Sequence, residues 1–142
     1  MIQAGLVALI IGSPEIVAII GSPSTRRDKA TGLFAVAAPE SSDLPEIVYS
    51  QISGSTSGML AGAQNLQPCR MQFSCYGQTY EEAKGLARAL KKILIGLNTT
   101  FADGIRVDYC SLALELDGYE EAPGCYSVPV DFEFLFADTD GD

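Results

Sequence analysis

Hydrophobic and polar positions alternate most regularly from Cys69 to Tyr76, where Cys69, Met71, Phe73 and Cys75 share one face and Arg70, Gln72, Ser74 and Tyr76 the other. This period of two predicts a half-buried antiparallel strand whose apolar face needs a cover. The next segment supplies it. Ala83, Leu86, Ala87, Leu90, Ile93, Leu94 and Leu97 recur at steps of three and four, so a helix over 79–95 carries one apolar stripe. Thr79 and Glu82 have the spacing of a capping box, in which each side chain satisfies a backbone N–H of the first turn. Lys91 and Lys92 complement the negative end of the helix dipole, and Gly96 suits a left-handed stop.

Before this pair, Ile2, Leu6, Leu9 and Ile10 predict a helix broken at Gly12-Ser13-Pro14, and Ser13, Pro14 and Glu15 open a second helix ending at Ile20. Ser22 to Thr31 is polar and aperiodic, which predicts an exposed loop. Leu33 to Ala37 reads as a short strand and Glu46 to Ile52 as another. After the long helix, Ile105 to Leu116 alternates with Cys110, Leu112, Leu114 and Leu116 on one face. Cys125 to Phe136 does so with Tyr126, Val128, Val130, Phe132, Phe134 and Phe136, and Pro129 marks an edge or bulge. These last two strands are expected to pair. The order predicts an α+β fold: an antiparallel sheet of about four to five strands with the helix 79–95 and the short N-terminal helices packed on one face. Residues 1–137 form a single domain in this reading, and 138–142 a flexible acidic tail.

Composition narrows the function. The 142 residues carry a net charge of −9, which disfavours gripping a phosphate backbone. Four cysteines stand at 69, 75, 110 and 125 without histidine or a C-x-x-C pair, so zinc spacing fails and the thiols read as reduced core residues of a cytosolic product. No secretory signal or membrane span is expected. Without histidine the common nucleophile dyads lack their base, and no motif positions a lysine instead. Gly54-Ser-Thr-Ser-Gly58 lacks the lysine of a phosphate loop. Asp131 and Glu133 read as a solvated strand face, and Asp138 to Asp142 stops short of a calcium loop. The expectation is no catalytic residue, no cofactor and no metal.

The helical start, Leu44-Pro45-Glu46-Ile47-Val48-Tyr49, the Cys69-to-Tyr76 strand running into Thr79-Tyr80-Glu81-Glu82-Ala83, and the closing Tyr126-to-Phe136 strand together resemble the tail-completion family of long-tailed bacteriophages. That family includes tail terminators and tail-to-head joining proteins. The resemblance implies a small α+β subunit forming a ring, usually of six copies, that caps the tail tube and supplies the surface for head joining. Its implied partners are further copies of itself as a homohexamer, the tail tube protein and the head–tail connector proteins. DNA would pass through the lumen without specific binding, and the protein would reside in the virion neck after assembly in the host cytoplasm. Such a ring needs heterologous contacts. Lys84, Arg88, Lys91 and Lys92 are the candidate inter-subunit face, meeting Asp108, Glu115 or Asp131 with Glu133 of a neighbour; the bland alternative is a solvated helix face. Gly58, Met59, Leu60, Ala61 and Gly62, inside the long Ser53-to-Pro68 connection, are the candidate partner-docking loop. Alternatives within the class are a head-side connector (head completion) protein and a tail assembly chaperone. From another class comes a small acidic ligand-binding domain, which requires a pocket with convergent polar groups.

Overall fold

A computed structural model describes residues 2–38, 43–54, 67–120 and 124–138. The Gly58–Gly62 loop and residues 139–142 of the tail lie outside the described residues. At the centre, β3 (Gln67–Gly77) pairs antiparallel with β7 (Cys125–Asp138), from Gln67 opposite Phe136 to Gly77 opposite Tyr126. Cys69, Met71, Phe73 and Cys75 meet Val128, Val130, Phe132 and Phe134 on one buried face. Over that face lies α3 (Tyr80–Leu94), which buries Ala83, Leu86, Ala87, Leu90 and Leu94. Each fully buried leucine or phenylalanine there contributes roughly 1.5–3 kcal/mol. Phe73 and Phe132 add an edge-to-face contact with centroids 5.9 Å apart.

The corner between strand and helix depends on Gly77, where a Cβ would fall 2.7 Å from Cβ of Glu82 and 2.8 Å from the Ala83 nitrogen. Thr79 caps α3 by accepting the Glu82 N–H at 3.2 Å, while the Glu82 carboxylate accepts the Gln78 N–H at 2.8 Å. The return bond therefore lands one residue before the cap, a variant of the expected box. At the other end Gly96 has φ +78 and donates its N–H to the Cys110 carbonyl.

The sheet is larger than expected, and mixed. Its order is β1 (Leu33–Ala35), β2 (Glu46–Gly54), β3, β7, β5 (Ile105–Glu115) and β4 (Thr99–Thr100), with β6 (Gly118–Glu120) also pairing with β7. Thus among the described residues seven strands replace the predicted four to five. The two extra strands, β4 and β6, are too short for periodicity to reveal. Nor is the sheet purely antiparallel: β1 runs parallel to β2, with Leu33 opposite Ile47. Strands β2 and β3 also extend further into the long connection than expected, since Gly54 pairs with Cys69.

Two register shifts interrupt β5, between Val107 and Tyr109 and between Leu112 and Leu114. Cys110 lies opposite Phe134 and Leu112 opposite Phe132, on the helix side, whereas Leu114 lies opposite Asp131 on the uncovered side. The expected common face of Cys110, Leu112, Leu114 and Leu116 is therefore split by a bulge, which reverses the alternation beyond it.

Helices α1 (Ile2–Ile11) and α2 (Pro14–Ile20) meet at 76°. Ser13 caps α2 by accepting the Ile16 N–H. Ile2, Leu6, Ile10, Ile16 and Ile20 join the core. Gly5 lets the Phe101 ring sit against α1: a Cβ there would come within 2.1 Å of that ring. No single helix among the described residues is long and apolar enough to cross a membrane.

The 22–31 segment is not simply exposed. Arg26 is 5% exposed and donates to the carbonyls of Ile20 (2.8 Å), Pro45 (2.6 Å) and Asp43 (2.5 Å) and to the Asp28 carboxylate. A buried cation thus organises the polar loop, with partners too distant in sequence for local patterning to identify.

Candidate functional site

The basic residues of α3 project from the helix surface toward acids of the same chain. Lys84 donates to Glu115 at 2.5 Å and to Asp117 at 2.9 Å, and Lys91 reaches the other Glu115 oxygen at 2.8 Å. The hydrogen bond from Lys84, then that from Lys91, hold the Glu115 carboxyl below its usual range. Reciprocally, Lys84 is raised, chiefly by Glu115. Lys92 contacts Glu15 of α2 at 3.2 Å, both side chains largely exposed. Arg88 is exposed and has no ion pair among the described residues.

Of the acids suggested as counterparts, only Glu115 meets this face within the chain. Asp108 takes Arg106 Nε at 2.7 Å, and Asp131 takes Arg70 on the opposite side of the sheet. Glu133, across from Ser111, is exposed.

Sequence reading missed the rim formed by β5 and β6. On the side away from β7, the described residues place β4 against Arg106 and Val107, and the Asn98 amide and Gly96 N–H donate to the carbonyls of Asp108 and Cys110. Among the described residues no strand pairs with that edge from Ser111 onward. Leu112, Leu114, Leu116 and Tyr119 are exposed along it by 40, 38, 53 and 57%. The leucine spacing was visible in the sequence; the bulge that turns Leu114 outward was not.

Reactive chemistry is sparse among the described residues. No group of three metal-ligating side chains comes together. The four thiols are free and buried, and burial raises their pKa values, Cys110 to about 12. An apolar cavity of about 260 Å³ lies between α1, α2 and β1, lined by Ile10, Ile16, Val17, Ile20, Pro23 and Leu33 among others. A more open cleft of about 600 Å³ borders Thr25, Arg26, Arg27, Asp43 and Gln78. Its buried cation is already committed to the loop carbonyls and Asp28.

The described surface is therefore that of a small α+β building block, distinguished by open strand edges and a helix face stitched by ion pairs. The chain belongs to the family described as tail completion protein gp17, whose model matches residues 4–137. It is a structural, tail-related virion protein. Its fold is similar to that of a chain in the virion of a native gene transfer agent particle, with a TM-score of 0.68 at 14% identity, covering 94% of this chain and 92% of that one. No curated protein matches the chain.

Proposed function

We propose that the protein is the subunit of a tail terminator ring, a homohexamer that caps the tail tube and presents the surface on which the head docks. The observation that carries this reading is the tail-completion family match across residues 4–137, nearly the whole chain. The protein acts by shape and contact, without catalysis, in the neck of a long-tailed phage after assembly in the host cytoplasm. Its partners are neighbouring copies, the tail tube protein and the head–tail connector proteins. Arg88, the cation of its helix face without an ion pair among the described residues, is the member of the Lys84, Arg88, Lys91 and Lys92 set most available to a neighbour's acid. The Gly58–Gly62 loop docks on the tube or a connector. Each copy carries a charge of −9, so a ring repels DNA and lets it slide through the lumen.

The test is electron microscopy of particles produced without this chain, alongside the mass of the purified protein and of rings recovered from tails. Tails of irregular length that fail to join heads, and rings of six copies, are expected. Tails of normal length that remain unjoined would indicate a head-side connector instead. Normal tails on normal heads would refute both roles.

A further inference from the structure

The two lateral rims of the sheet differ, and they complement one another. At one rim, the β5–β6 edge from Ser111 to Glu120 has no described partner strand, exposes Leu112, Leu114, Leu116 and Tyr119, and carries exposed acids at Asp117 and Glu120. Asp117 lies half exposed even while paired with Lys84. The edge keeps two partial guards, the inward charge of Glu115 and the bulge between Leu112 and Leu114, yet its free N–H and C=O groups beside exposed leucines still offer a place for another strand. At the other rim stands β1, with no described strand on its outer side, followed by Val36. Val36 is 77% exposed and has φ +67, a left-handed conformation that is strained for a β-branched residue. The loop leading into β1 carries Arg27, whose side chain is 93% exposed even though its Nε reaches Asp43 at 3.3 Å, and Lys29, also exposed. One rim is thus apolar with acids beside it, the other apolar with cations beside it.

We propose that the β5–β6 edge of one copy receives the β1 edge of the next, so that the sheet continues from subunit to subunit by strand addition. Backbone hydrogen bonds would give the contact its register. Leu114 and Leu116 would lose water against Val36 and its surroundings, and Asp117 and Glu120 would face Arg27 and Lys29. Because the two edges are different surfaces, the contact is head-to-tail, and it closes into a ring where the rotation permits. This rests on the ring reading above and specifies which surfaces make it.

The experiment uses the full chain carrying Ala35→Cys, Ala113→Cys or both, treated with a short bismaleimide in solution and in assembled tails. Ala35 and Ala113 are exposed, whereas the native thiols are buried. The double variant is expected to give a denaturant-stable ladder up to the ring size. Each single variant is expected to stay uncrosslinked, and a mixture of the two singles to stop at dimers. In parallel, Leu114→Asp with Leu116→Asp is expected to abolish oligomers while leaving the thermal midpoint of the monomer unchanged. Rings in tails without a ladder would overturn the edge contact but leave the ring reading intact, as would crosslinking of Ala113→Cys alone, which signals a two-fold contact. A chain that forms rings neither in solution nor in tails would overturn both.

Discussion

Arg70 bypasses Glu133, its direct neighbour across the β3–β7 ladder, and bonds instead to Asp131, placing Nε at 3.1 Å and Nη2 at 2.8 Å from the same Oδ2. Asp131 is 3% exposed although it lies on the face without helices, and its Oδ1 has no hydrogen-bond partner among the described residues. Removing one member of a fully buried pair costs about 3–5 kcal/mol; Arg70 is a third exposed, so Arg70→Met is expected to cost about 2 kcal/mol. Asp131→Asn should cost less, because the charge it leaves without a counter-ion is that of Arg70, which is a third exposed and can be solvated. Combining Arg70→Met with Asp131→Leu should recover much of the loss. Urea midpoints of the variants check this, and equal losses in all three would contradict it.

Arg26 gives a larger effect. Its fork holds three carbonyls and the Asp28 carboxylate together, a geometry that an ammonium cannot copy. Arg26→Lys is therefore expected to lose about 3 kcal/mol, since hydrogen bonds to charged groups are worth about 1.5–3 kcal/mol each. A lysine variant with the parent's urea midpoint would contradict this buried network.

Gly5 reverses the usual sign of a helix substitution. Glycine to alanine inside a helix ordinarily stabilises by about 1 kcal/mol. Here the added methyl meets the Phe101 ring, and overpacking of about 1–3 kcal/mol outweighs that gain. Gly5→Ala should therefore lower the thermal midpoint. Adding Phe101→Leu should restore it, because the smaller side chain leaves room.

Acid should unfold the protein through named carboxylates. Asp28 is held well below its usual range, first by its hydrogen bond from Arg26, and Glu115 and Asp117 are lowered chiefly by Lys84. A carboxyl depressed in the folded state stabilises above its unfolded value, near 4, and that contribution disappears as pH falls through the folded value. Stability should be level from neutral pH to about 5 and fall below about 4. The fall should be shallower in Arg26→Met. A chain equally stable at pH 7 and pH 3 would rule the mechanism out.

The legible parts of the fold are those where one local period persists. β3 and α3 announce themselves because each keeps its spacing along its whole length, and the Thr79 cap is written in adjacent residues. β5 is legible as a strand but not by face, since its bulges depend on β7. Arg26 looks like any loop cation because its acceptors at Ile20, Asp43 and Pro45 come from separate segments. Of the candidate site, the basic spacing along α3 was readable. That Lys84 and Lys91 are occupied by Glu115 was not, because that pairing follows from the antiparallel run of β5 past the helix.

That shared carboxylate has a mechanical consequence. Glu115 rivets the end of β5 to α3 at Lys84 and again two turns later at Lys91, so the rim strand cannot peel away without tugging on the helix. Amide protons of residues 110–115 and of 84–94 should then exchange with deuterium as one cooperative block. Force applied at that rim would spread into the core helix instead of fraying the strand.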